Sequence, residues 1–111
     1  MKTIDYSSFI AKVNDRNLSI KLLNALEPSP IRRYQIPNSL NILQREEIEE
    51  KLNKDDEIIV YCTETACNQS TNLYYLLEHM GYKNVTRFSG GLREWFSKGQ
   101  TLEEIFTSSA A

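Results

Sequence analysis

Histidine and tryptophan occur once each in these 111 residues, and cysteine only twice. Two cysteines, Cys62 and Cys67, are too few for the disulfide framework that holds small extracellular domains together. One histidine, His79, cannot build a metal site with two thiols, so no metal and no cofactor is expected. Neither sign of charge is in excess: 13 basic residues face 15 acidic ones, for a net charge of −2. That argues against partners such as nucleic acid or an anionic membrane, which select for a surplus of Lys and Arg. No apolar run approaches the ~20 residues that a bilayer span requires. The opening Met1-Lys2-Thr3-Ile4-Asp5 has no apolar segment after its charge, so no secretory signal is expected. Internal repeats and low-complexity tracts are also missing. What is present is ordinary globular composition, 41% hydrophobic and 25% charged. The expectation is a reduced, cytoplasmic protein with a single domain over residues 1–111, frayed at 107–111.

Strand and helix patterns alternate along the chain. Tyr6, Phe9, Ile10 and Val13 share one helical face, in a segment ending near Asn14-Asp15. Ile20 to Leu23 is a short apolar run, and Pro28 and Pro30 then force a loop. Asn38 to Ile42 reads as a second strand. Arg45 to Leu52 reads as a helix with Ile48 and Leu52 inward and its acidic residues on a solvated face. Asp56 to Cys62 is the clearest strand, and its continuous β-branched run implies burial on both faces. Asn68 to Met80 carries a helical stripe of Leu73, Leu76, Leu77 and Met80, stopped by Gly81. Val85 to Phe88 is a further strand, Gly90-Gly91 a turn, and Leu92 to Lys98 a short helix. Thr101-Leu102-Glu103-Glu104 has the form of a capping box opening a last helical turn. Such alternation predicts an α/β fold, a central, mainly parallel five-stranded sheet with helices on both faces.

In open parallel sheets, ligands bind beyond the carboxyl ends of the strands, and Cys62 stands at that end of the clearest strand. The segment Thr63-Glu64-Thr65-Ala66-Cys67 then leads into a helix. It is long enough to wrap around the sulfur with its N–H groups turned inward, forming an anion-favouring nest backed by a helix N-terminus. Such a cradle lowers a thiol pKa without any basic side chain and makes a nucleophile. By position alone, a small buried hydrophobe is the stronger reading of Cys62.

The wider pattern shifts that balance. Val60-Tyr61-Cys62, a loop, a helix, Gly81-Tyr82-Lys83-Asn84-Val85 and Phe88-Ser89-Gly90-Gly91-Leu92-Arg93-Glu94-Trp95 resemble the second half of a rhodanese-like domain. Leu22 to Pro28 and Ile36 to Ile42 resemble the first half, so the likeness runs from about residue 19 to 98. The resemblance implies a sulfurtransferase: Cys62 accepts a sulfane sulfur, holds it as a persulfide and passes it to a nucleophilic acceptor. The loop Thr63, Glu64, Thr65, Ala66, Cys67 and Asn68 then cradles the anion. The implied partners are a small sulfur donor and a thiol acceptor or partner protein. The spacing of Cys62, Cys67 and Ser70 is similar to that of a subgroup with a longer loop and a second cysteine, which makes Cys67 a possible resolving thiol.

Departures from the family pattern carry information too. Asn24 and Leu26 stand where the family usually has Asp and Arg, and Gln35-Ile36-Pro37-Asn38 replaces His-Ile-Pro-Gly. Family loops often hold a basic residue, whereas here the one charge is Glu64, which disfavours a dianionic donor. Polysulfide or a persulfide is therefore the expected donor rather than thiosulfate. Asn68 occupies the position, six beyond the cysteine, where rhodanese-like phosphatases place an arginine, so phosphatase activity is not expected. Two alternatives stay open: a binding or regulatory module with little turnover, and a dithiol redox protein using Cys62 and Cys67. His79 reads as a surface cation near a helix C-terminus. Trp95 and Leu92 read as packing, Gly90-Gly91 as a close backbone approach, and Arg32 and Arg33 as solvated arginines near the same sheet edge as Cys62.

Overall fold

The run that reads as the clearest strand occupies the middle of the sheet. In the computed structural model, which describes residues 1–15, 17–25, 34–41, 46–63 and 68–104, the elements in chain order begin with β1 (Thr3–Ile4), α1 (Tyr6–Val13), β2 (Ile20–Asn24) and β3 (Tyr34–Gln35). They continue with β4 (Ser39–Asn41), α2 (Glu46–Lys51), β5 (Glu57–Tyr61), α3 (Gln69–His79), β6 (Asn84–Phe88), α4 (Gly91–Ser97) and β7 (Glu103–Glu104). Five strands form one sheet in the order β1-β6-β5-β2-β4, and every pairing in it is parallel. The register sets Val60 of β5 beside Leu23 of β2 and Arg87 of β6.

The continuous apolar run of β5 follows from its place, since both of its faces are covered. Ile58 and Val60 pack with Leu23, Ile48, Leu52, Tyr74, Leu77, Tyr82 and Val85, beneath α2 and α3. Ile59 and Tyr61 face the other way, against Phe9, Leu22, Ile36, Phe88 and Trp95, beneath α1 and α4. Phe9 stacks on Phe88 with ring centroids 4.1 Å apart, and Trp95 meets Phe9 edge-on at 5.8 Å. These helices are too short to stand alone in water, so the buried faces hold them. A single buried side chain such as Ile48 contributes roughly 2 kcal/mol.

Local signals fix the helix ends. Asp5 caps α1 by accepting from the Ser8 amide at 2.8 Å, and that bond holds its carboxyl below the ordinary range. At the far end of α3, Gly81 takes a left-handed φ of 97°. The Gly81 amide then bonds the Glu78 carbonyl and the Tyr82 amide the Leu77 carbonyl, the paired closure of a Schellman turn. Asn38, standing where the family usually has glycine, also adopts a left-handed φ of 69°. Asparagine is among the non-glycine residues that tolerate this conformation best. No helix among the described residues is long and apolar enough to cross a membrane.

One expectation is overturned. Thr101 to Glu104 does not open a helical turn; Glu103–Glu104 is a strand, antiparallel to β3, with Gln35 opposite Glu103. The Glu103 carboxylate accepts from the Gln35 side chain at 2.6 Å and from the Asn38 amide at 3.3 Å. The Thr101 carbonyl accepts from the Trp95 indole at 2.7 Å. Those tertiary partners outweigh a local capping pattern worth about 1 kcal/mol. The expected loop at Pro28 and Pro30, Leu26, Arg32, Arg33, Ile42, Arg45 and the tail at 107–111 lie outside the described residues.

Candidate active site

Cys62 leaves β5 at the carboxyl edge of the sheet, almost fully buried at 1% exposure. Ile58 and Val60 face α3, and the strand's alternation carried one residue past its end at Tyr61 assigns Cys62 to that same side. Tyr61 before it is anchored on the opposite face. Its hydroxyl accepts from the Ile36 amide at 3.0 Å and contacts the Ser39 hydroxyl, which donates to the Ile36 carbonyl. Burial pushes the Tyr61 phenol well above its ordinary pKa, against the opposing effect of its Ser39 and Ile36 hydrogen bonds. The Ala25 amide also bonds the Tyr61 carbonyl at 2.9 Å. The cysteine therefore starts from a fixed strand end.

The first turn of α4 holds the loop entrance. The Leu92 amide donates to the Cys62 carbonyl at 2.9 Å and the Arg93 amide to the Thr63 carbonyl at 2.8 Å. Only glycine fits at the junction. Gly91 has a φ of 64°, and a Cβ there would lie 2.5 Å from the Cys62 carbonyl oxygen. In a planar trans peptide the N–H points away from the C=O, so these bonds turn the Thr63 N–H away from α4.

Beyond the loop, Asn68 begins α3 without a side-chain cap, and the first turn holds no acidic residue. Its positive dipole end is thus not offset by a carboxylate of its own. Ser70 is fully buried there and accepts from Nε of Arg87 at 2.8 Å. Arg87 is itself buried on β6 at 5% exposure. Sequence patterning missed this cation. The available signal was a basic residue at an inward position of β6, two after Val85.

Of the residues expected in the site, Cys62, Thr63 and Asn68 are described and stand at the carboxyl edge of the sheet. Glu64, Thr65, Ala66 and Cys67 lie outside the described residues. Cys62 is disulfide-bonded in this structure, where the sequence reading takes it as a thiol. Sulfur in that form is neither nucleophile nor persulfide carrier until reduced. Asn24, in place of the usual Asp, is buried at the end of β2 opposite Tyr61. His79 ends α3 exposed, Trp95 is buried in the core, and Gly91 makes the expected close approach.

The architecture defines a parallel-sheet α/β domain with a cysteine buried at the end of its central strand, its carbonyl held by the first turn of α4. The chain belongs to the rhodanese-like domain family, whose model matches residues 9–98. It is similar to the rhodanese-like domain of an Anabaena protein, with a TM-score of 0.80 at 20% identity, covering 97% of this chain and 83% of that one. A Bacillus halodurans protein gives a TM-score of 0.81 at 21% identity over 92% of this chain and 76% of that one. Among curated relatives, the tRNA uridine(34) hydroxylases of Yersinia enterocolitica and Photorhabdus laumondii are 33% and 36% identical over 78 residues, 69% of this chain. The match spans about a fifth of the length of those relatives, 20% in each.

Proposed function

We propose that this domain is a sulfurtransferase that carries a sulfane sulfur on Cys62. Once an external dithiol has reduced the Cys62 disulfide, leaving as its own disulfide, the Cys62 thiolate attacks the outer sulfur of a polysulfide or persulfide. The donor's S–S bond breaks, its remainder leaves as a thiolate or shorter polysulfide, and Cys62 becomes a persulfide. An acceptor thiolate then attacks the outer sulfur, the bond to Cys62 breaks, and the Cys62 thiolate returns. The observation that carries this reading is the placement of Cys62. It is buried at the sheet's carboxyl edge, with its own carbonyl and that of Thr63 fixed by α4 and the uncapped start of α3 following the loop. Such a setting suits an anion shielded from stray thiols.

Hydroxylation of a tRNA uridine is the named activity of relatives in which the matched segment is a minor part. With 13 basic against 15 acidic residues, this chain has no charge surplus to grip an RNA backbone. We therefore assign it the sulfur chemistry alone, with a thiol or partner protein as acceptor and the cytoplasm as its compartment.

A second reading, dithiol redox chemistry through Cys62 and Cys67, is favoured by the disulfide at Cys62. Intact mass separates the two. Reduced protein treated with polysulfide should gain the mass of one sulfur atom on Cys62. Loss of two hydrogens in wild type, with no sulfur adduct on Cys62 in Cys67→Ala either, would overturn the carrier reading in favour of the dithiol one, and no change at all would leave a binding module.

A further inference from the structure

We infer that Arg87 is a positioning residue for the sulfur anion on Cys62, a buried cation of the neighbouring strand that favours the thiolate and the persulfide electrostatically. The inference rests on the sulfur-carrier reading of Cys62 and adds to it the source of the positive potential.

The placement follows from register and parity. Arg87 lies beside Val60 in the β5–β6 pairing. Its side chain alternates with those of Thr86 and Phe88, and Phe88 belongs to the opposite cluster, beneath α1 and α4. Arg87 thus shares with Val85 and Val60 the face covered by α3. Cys62 stands two residues beyond Val60, and the alternation of β5 carried one residue past its end assigns it to the same face. With strands ~4.8 Å apart and a rise of ~3.3 Å per residue, the two Cα atoms stand about 8 Å apart. The guanidinium does not run back along the sheet. Its Nε reaches Ser70, in the first turn of α3, at 2.8 Å. The cation therefore sits at the end of α3 that already carries the positive dipole.

Burial gives the arrangement its force. Arg87 is 5% exposed, Ser70 0% and Cys62 1%, so solvent screening between them is weak. At an effective dielectric of ~20, a unit charge roughly 8–12 Å from a thiolate lowers its pKa by about 1–1.5 units. Other charged or titratable groups on neighbouring elements are Lys2 beside β1, Tyr74 on α3, and Arg93 and Glu94 in the first turn of α4. Lys2 and Arg93 are exposed and Glu94 is partly exposed. Tyr74 is buried, and its hydroxyl accepts from the Lys2 amide at 3.1 Å. Glu64, two positions after Cys62 in the sequence, carries the opposite charge and lies outside the described residues. Arginine suits this duty because it stays protonated at any working pH, even when buried.

The test is the rate of alkylation of Cys62 against pH in reduced protein, followed on the Cys62 peptide so that Cys67 does not contribute. Arg87→Gln should raise the midpoint by about one unit, a roughly tenfold loss of thiolate at a pH below both midpoints. Arg87→Lys should restore most of the shift, and Ser70→Ala, which keeps the charge, should move it by less than Arg87→Gln. Should Arg87→Gln fail to fold, Arg87→Met, which fills the site with an apolar chain, carries the same test. A folded neutral variant with the wild-type midpoint would overturn the inference and leave Arg87 a packing residue. Failure of the carrier reading is separate: it would show as no sulfur adduct on Cys62 in Cys67→Ala, whatever the alkylation profiles.

Discussion

The Leu92 amide holds the Cys62 carbonyl at 2.9 Å, tying the start of one helix to the residue that leaves the central strand. The tie exists because Gly91, next in the chain, lets α4 approach the loop backbone more closely than any side chain allows. Gly91→Ala must place a Cβ 2.5 Å from the Cys62 carbonyl oxygen and hold alanine at a φ of 64°. The expected cost is about 2 kcal/mol or more, read by denaturant unfolding. Sulfur loading of Cys62 should fall even in the fraction that stays folded. Wild-type stability and loading in Gly91→Ala would mean that the approach of α4 does not orient the cysteine.

Tyr61 fixes the strand end just before the cysteine, and its hydroxyl is the acceptor for the buried Ile36 amide. Tyr61→Phe removes that acceptor inside the core, for an expected cost of about 1–3 kcal/mol. The pH dependence has a definite sign. Burial holds the folded phenol above its ordinary pKa, so an unfolded tyrosine loses its proton first, from about pH 10 upward. The unfolded state then binds fewer protons, and stability falls as pH rises above that value. Below it the contribution is constant. Tyr61→Phe should be less stable at neutral pH and lose stability less steeply above pH 10; an unchanged alkaline limb would contradict the burial argument.

Much of this was legible in the chain because it depends on local pattern. β5 has a continuous apolar run, α3 a helical stripe ended by Gly81, and Cys62 its place after the strand. The two-residue strands were not legible. Thr3–Ile4 and Glu103–Glu104 are strands only through their partners, Arg87–Phe88 and Tyr34–Gln35. Thr101 to Glu104 carries a capping pattern that loses to Gln35, a partner 68 positions away from Glu103. Tyr74 packs deeper than Leu73 or Leu76 because its hydroxyl finds the Lys2 amide, which helical periodicity cannot show. Arg87 was hidden for a similar reason. A basic residue within a strand implies a solvent-facing position until the sheet and Ser70 enclose it.

The proposed role of Cys62 gives a direct expectation. In reduced protein the Cys62 thiol should titrate below the ~8.5 of a free cysteine. Cys62→Ser should fold normally and form no persulfide. A midpoint at or above the free value in folded protein would contradict the anion-cradle argument, since neither amides nor Arg87 would then act on the sulfur.

Glu64 is the one charge between Cys62 and Asn68 in the sequence, and it repels a dianion. Thiosulfate should therefore be a poorer donor than polysulfide. Glu64→Arg should raise thiosulfate turnover several-fold at low ionic strength, with a gain that shrinks as salt rises. Equal turnover in the two proteins at low salt would mean that the carboxylate does not face the donor.

On the sulfur-carrier reading, Cys67 is the residue that could drain the stored sulfur. Five positions separate it from Cys62, which is disulfide-bonded in this structure. A Cys67 thiolate attacking the inner sulfur of the Cys62 persulfide would form an intramolecular disulfide and expel hydrosulfide, so the stored sulfur would be lost rather than transferred. If Cys67 is instead only a small side chain ahead of α3, Cys62 is the one working cysteine. On that reading Cys67→Ala should leave the transfer rate undiminished and keep the persulfide at least as long as wild type. The measurement is persulfide decay in both proteins, with free thiols counted at each time point. Wild type that loses two thiols and releases hydrosulfide while the variant holds its sulfur would show Cys67 draining the carrier. If the folded variant loses transfer altogether, Cys67 belongs to the chemistry and the assignment of a single working cysteine is wrong.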